Sequence, residues 1–220
     1  MNSRGYKEWG IRSVILLIGL VIAHFGVTLF LLSDLGSDPF NVFVQGVFGK
    51  VGALLPAGVL SHGRTHMTIS FFIIAILLLV DKRYIKIGTI LCMVFGGPII
   101  DFFSWALGFL IPEYFPLWMR TLMLICGCII LAYGMTIVIK SDAGTGPNDL
   151  VAVVLSDKSH KPFSIVRLLV DGCFALVGFL LGGTIGVGTL ICIGLVGPVA
   201  GFFLPRNERL VQRILDEYVS

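Results

Sequence analysis

Apolar residues fall into six long blocks, at about 12–33, 67–81, 87–111, 118–140, 163–182 and 185–205, and most of the charge is gathered in the short stretches between them. A helix that crosses a bilayer takes roughly 20 apolar residues, so each block is read as a transmembrane helix. The second is the shortest. Its uncharged core runs from Met67 to Val80 and must borrow residues from the Ser61 to His66 side. Arg4, Lys7 and Arg12 ahead of the first block resemble the start of a signal peptide, but the block is too long for an h-region and lacks an Ala-x-Ala-like exit. It reads as a retained span.

Composition agrees. Of 220 residues, 56% are hydrophobic and 13% charged, and the mean hydropathy is +0.97. A soluble domain carries about 25% charged residues, so an ordinary cytosolic enzyme and a disordered chain are both excluded. The net charge of +3 is too small, and too scattered, to suggest nucleic acid. It is better read as topology. Arg4, Lys7 and Arg12, then Lys82, Arg83 and Lys86, then Lys158 and Lys161, then Arg206, Arg209 and Arg213 occupy alternate loops. The positive-inside rule therefore places both termini in the cytoplasm. In the tail from Asn207 to Tyr218, Leu210, Val211, Ile214, Leu215 and Tyr218 share one helical face, which predicts a short interfacial helix.

The chain also repeats itself. Shifting residues 12–41 by 108 positions superposes Arg12 on Arg120, Gly19 on Gly127, Gly26 on Gly134, Ser33-Asp34 on Ser141-Asp142, Gly36 on Gly144 and Pro39 on Pro147. A shift of 100 then pairs Gly88-Thr89 with Gly188-Thr189, Cys92 with Cys192, Gly97-Pro98 with Gly197-Pro198 and Phe102-Phe103 with Phe202-Phe203. Each half holds three spans, and an odd number forces the halves into opposite orientations. The expected architecture is an all-α membrane protein of six spans as an inverted 3+3 repeat, residues 1–111 and 112–206, with a tail at 207–220. Inverted repeats of this kind underlie many secondary transporters, whose site lies near the midplane between the repeats.

After the first span of each half stands Ser-Asp-x-Gly-x-x-Pro, at Ser33–Pro39 and Ser141–Pro147. The glycine suits a left-handed turn that ends a helix, and the proline suits the first position of the next. Asp38 and Gly146 then fall at the N-caps of helices running to about Lys50 and Asp157, too short to span. If these dip into the bilayer as half-helices, their free N–H groups face a cavity. Ser37, Asp38 and Asn41 in one half and Thr145, Asn148 and Asp149 in the other then become substrate-binding candidates. The alternative is a corner at the membrane surface in which the same residues act as caps.

Within the spans, the ionisable residues His24, Asp101, Arg167 and Asp171 stand out, and each is a candidate for ion coupling because charge is costly in lipid. Arg167 and Asp171 are four apart, which favours a structural pair. Asp101 matches Gly201 in the repeat; His24 matches Ala132 and reads as a packed, hydrogen-bonding residue. Cys92, Cys126, Cys128, Cys173 and Cys192 lie in apolar segments without zinc-like spacing, so no metal is expected. Gly182–Thr189 has the composition of a phosphate loop but lacks its lysine, and Asp171–Ala175 begins a phosphotransferase motif that Leu176 ends. Neither an enzyme nor a cofactor is indicated.

Gly144–Asp149, Gly182–Thr189 and Gly197–Phe203 together resemble the YczE-like branch of the YczE/YyaS/YitT group of bacterial membrane proteins, and Gly36–Pro39 and Gly88–Pro98 echo the same motifs. The resemblance implies a multi-pass protein of the bacterial inner membrane and brings no substrate with it. The expected function is a small secondary transporter of a small solute, working by alternating access. A membrane scaffold or the substrate-capturing subunit of an energy-coupled system are the rivals. The expected partners are the lipid bilayer and the solute, with a homodimer as one assembly and no nucleic acid.

Overall fold

The computed structural model describes residues 5–36, 38–54, 62–108 and 116–219. They form helices α1 (Tyr6–Leu32), α2 (Pro39–Gly52), α3 (His62–Asp81), α4 (Ile87–Gly108), α5 (Leu117–Ser141), α6 (Pro147–Ser159), α7 (Phe163–Leu180) and α8 (Val187–Val219), with a 3-10 turn at Lys82–Tyr84. All but α2 and α6 are long and apolar enough to cross a membrane, which marks an all-helical membrane protein. α3 begins at His62, so the second span does draw on residues ahead of its short apolar core.

The two short helices start at the expected prolines. Asp38 caps α2, its carboxylate accepting the backbone N–H of Asn41 at 3.2 Å and the Asn41 side-chain amide at 2.6 Å. Gly146 holds the same position on α6 without a side-chain bond. The turns before them correct one expectation. The left-handed residue is the aspartate, with φ of 53° at Asp34 and 55° at Asp142, whereas Gly36 and Gly144 take φ of 141° and 144°. A short polar side chain can tolerate the left-handed region. The glycines are needed for space as well as conformation: a Cβ at Gly144 would stand 2.4 Å from the Thr89 nitrogen, and one at Gly36 2.9 Å from Gly186 Cα.

α1 and α5 form the centre and run antiparallel. Arg12 near the start of α1 donates to the Ser141 carbonyl at the end of α5 (2.9 Å), and Arg120 near the start of α5 reaches Asp34 beyond the end of α1 (3.2 Å). Between these clasps, Gly19 lies against Gly134 and Gly26 against Gly127, so close that a Cβ at Gly134 would sit 2.3 Å from the Ala23 nitrogen. Lipid gives helices no hydrophobic reason to associate, and close backbone packing takes over that role. α8 packs on α5 through Cys192, Val196 and Ala200, and α4 packs on α1 around Leu16, Leu20 and Cys92. Each break is stitched to the last span of the other half: Gly188 N–H donates to the Leu35 carbonyl and Gly88 N–H to the Ala143 carbonyl, both at 2.9 Å.

Contacts place each short helix against a span. α2 runs alongside α7, with Phe40 and Phe43 against Phe174 in mid-helix and Gln45 bonded to Thr184 in the loop beyond. α6 runs alongside α3, with Leu150 and Val154 against Ile73 and Leu77, and Asp157 bonded to Tyr84 in the loop beyond. Both helices therefore run beside a span toward the loop at its end.

The tail departs from the expected separate helix. α8 continues through Pro205 to Val219, a length of about 50 Å at 1.5 Å per residue. Part of its apolar face is covered by protein, since Val211, Ile214 and Leu215 pack on Ile11, Ile15 and Ile137 while Leu210 and Tyr218 stay exposed, and the Asn207 amide donates to Thr136 Oγ1 at 2.6 Å. The start of α1 and the end of α8 thus lie on one face, the terminus face.

Candidate functional site

α6 carries Asp149 in its first turn, and α7 presents Arg167 and Asp171 toward it. Arg167 Nη1 donates to Asp149 Oδ1 at 2.5 Å, and Arg167 Nε donates to Asp171 Oδ2 at 2.8 Å. The guanidinium fork suits two carboxylates at once. The Asp171 side chain is 2% exposed, that of Arg167 8% and that of Asp149 19%. With both carboxylates ionised, the cluster keeps one net negative charge, and buried unbalanced charge is expensive. The positive end of α6 eases the charge on Asp149 in particular.

The expected pair of Arg167 and Asp171 is present, and Asp149 extends it across two helices. The i, i+4 spacing could reveal the pair; nothing in the sequence signals a contact between residues 149 and 167. Asp38, at the start of the other short helix, lies within electrostatic range of Asp171. Asn41 is turned back to Asp38 by the cap bond. Asn148 is half-buried beside Asp149, its Oδ1 3.2 Å from where a Cβ on Gly146 would stand. Thr145 is 4% exposed, and its hydroxyl has no hydrogen-bond partner among the described residues. His24 behaves as the packed residue expected, with Nδ1 2.8 Å from the Leu20 carbonyl oxygen and its ring filling the space left by Gly96. Asp149 lies within electrostatic range of it. Asp101 falls in α4 with its side chain outside the described residues, and Ser37 is outside them altogether.

Next to Thr145 a cavity of about 520 Å³ opens on the terminus face, between the Lys82–Tyr84 turn, the end of α5 and the side of α6. Its lining mixes charge and apolar surface, from Arg83, Tyr84 and Lys86 to Leu150, Val153 and Asp157. Lys86, which the sequence offers only as an orienting charge, pairs with the Asp142 carboxylate and donates to the Asp142 carbonyl at 3.0 Å. Among the described residues no three His, Cys, Asp or Glu side chains are placed to hold a metal, and the five cysteines are free. The cluster of Asp149, Arg167 and Asp171 can bind and balance charge near the cavity.

Known proteins bear on this chain along nearly its full length. It is 27% identical over 206 residues to the Bacillus subtilis protein named uncharacterized membrane protein YczE, covering 93% of this chain and 91% of that one. An uncharacterized protein of Haemophilus influenzae is 29% identical, covering 89% of this chain and 84% of its own length. The uncharacterized protein YyaS of Bacillus subtilis is 28% identical, covering 87% and 92%. No solved structure matches. The model of a family of unknown function, DUF6198, matches residues 10–205. With that match, and with relatives named YczE and YyaS as its motifs suggested, the chain belongs to the DUF6198 family.

Proposed function

We propose that this protein is a small secondary transporter of inverted 3+3 design, moving a small solute by alternating access through a bacterial inner membrane. The observation that carries the reading is the cluster that joins Asp149, in the first turn of α6, to Arg167 and Asp171 of α7, the helix on which Phe40 in the first turn of α2 also packs. Irregular backbone at membrane depth is tolerated where it lines a cavity, and broken helices there are a recurring way to build a solute site. The antiparallel α1 and α5 and the paired stitches Leu35–Gly188 and Ala143–Gly88 support the inverted repeat. The basic loops gathered on the terminus face support a cytoplasmic assignment for it.

In this reading Asn148 and Asp149 contact the solute, Asp38 and Thr145 flank it, and the net negative charge of the cluster is balanced by a proton or by a cationic group of the cargo. The test is uptake of radiolabelled amino acids, organic acids and amines into proteoliposomes. Asn148→Ala and the isosteric Asp149→Asn should abolish uptake of whichever compound is carried while the protein stays folded. Uptake at the native rate in both variants would remove the site assignment, and the absence of any uptake across the panel would favour a scaffold.

A further inference from the structure

We infer that the structure is the state open at the terminus face, and that the opposite face is held shut by a contact whose repeat counterpart lines the open cavity. This rests on the transport reading and deepens it by assigning the two gates. On the shut face, α2 lies directly on α7 and on the loop before α8. A Cβ added at Gly46 would stand 2.4 Å from the Gly178 carbonyl oxygen, and one at Gly183 would stand 2.2 Å from that of Val42. Gln45 Oε1 accepts from Thr184 Oγ1 at 2.8 Å and from Thr184 N–H at 3.3 Å.

The repeat converts these positions into a second set. α2 and α6 begin at prolines 108 positions apart, while α3 with α4 and α7 with α8 correspond at a shift of 100, which also matches their observed bounds. Val42 and Gln45 become Leu150 and Val153; Gly183 and Thr184 become Arg83 and Tyr84. All four counterparts line the 520 Å³ cavity. Positions in close backbone contact on one face line a cavity on the other, where Tyr84 still packs on the cluster of Leu77, Leu150 and Val154.

The spans differ in the same sense. A Cβ at Gly197 of α8 would stand 2.7 Å from the Ser164 carbonyl oxygen of α7, while its counterpart Gly97 of α4 meets nothing within 4 Å among the described residues. α7 packs on α8, whereas among the described residues α3 makes no comparable contact with α4. The two halves therefore hold one motif in two shapes, tight in the second and splayed in the first. Exchanging the shapes shuts the cavity and opens the opposite face. The small residues of the shut gate allow backbone contact, whereas Arg83 and Tyr84 close theirs by the reach of their side chains. The bond from the Tyr84 hydroxyl to Asp157 holds Tyr84 against the end of α6 in the present state.

The test uses paired cysteines in a background with the exposed Cys126 and Cys173 changed to Ser and the buried cysteines retained. Gln45→Cys with Thr184→Cys bridges the shut gate, and Tyr84→Cys with Val153→Cys bridges the open one. In proteoliposomes under oxidant the first pair should cross-link at rest, and the second should cross-link as the protein visits the other state. With all four cysteines present, prior closure of the first bridge should slow the second about tenfold or more, because a locked state is removed from the exchange. Reduction should reverse the effect. Should Tyr84→Cys with Val153→Cys fail to fold, Arg83→Cys with Leu150→Cys probes the same closure. A cavity-side bridge that forms at one rate whether or not the other is locked would overturn the gate assignment. Uptake measured in parallel separates the two claims: solute flux indifferent to the locks leaves transport standing without these gates, and gates that exchange with no flux refute transport alone.

Discussion

Replacing Arg167 with Leu tests the cluster at its centre. Among the described residues, the substitution removes the one side chain that bonds both Asp149 and Asp171, and it leaves Asp171, 2% exposed, without the donor seen here. Breaking a buried pair from one side costs about 3–5 kcal/mol, and for a chain of this size each kcal/mol moves the melting temperature by roughly 2–4 °C. Thermal unfolding in detergent should therefore shift down by roughly 6–20 °C. The compensating change is Arg167→Leu with Asp171→Leu, which trades the buried pair for apolar volume and should recover most of the loss. Asp149 stays tolerable in that variant because it is 19% exposed and sits on the positive end of α6. Uptake should remain absent in the double variant although stability returns. An Arg167→Leu protein as stable as the native one would refute the claim that the guanidinium balances the two carboxylates.

Two further predictions follow from the packing. Gly134→Leu drives a side chain into the Ala23 backbone and should abolish monodisperse protein on size exclusion, whereas Gly10→Ala, with nothing within 4 Å of its Cβ, should elute and melt as the native protein does. Asp34→Asn should cost no more than about 1 kcal/mol, because it keeps a residue that accepts the left-handed turn and loses only an exposed ion pair with Arg120. Asp34→Val, β-branched at φ of 53°, should cost about 1–3 kcal/mol in the same melting assay.

What the sequence made legible follows from where the physics is local. Six spans could be read from apolar length, and both short helices from the proline and cap residues, because capping and φ restriction act within a few positions. The pair of Arg167 and Asp171 was legible for the same reason. The packing of α2 and α6 was not, since it depends on Phe40 meeting Phe174 and Leu150 meeting Leu77, contacts between distant segments. Nor was the bond from Arg167 to Asp149, or the use of Lys86 beside the cavity. The left-handed aspartates show a subtler limit: glycine is the usual occupant of such a turn, but here the glycine two positions on is taken up by the close approach of another helix. The continuity of the tail with α8 was not legible either, because its apolar stripe is the same whether lipid or Ile15 and Ile137 cover it.

The central claim is that the start of α6 is reached alternately from the two sides of the membrane. Asn148→Cys, in the Cys126→Ser and Cys173→Ser background, can be labelled with a membrane-impermeant maleimide in sealed vesicles of each orientation. The account predicts ready labelling from the terminus face, and labelling from the opposite face that vanishes when Gln45→Cys and Thr184→Cys are bridged. Labelling from the terminus face alone, with the opposite gate free and transported solute present, would contradict it.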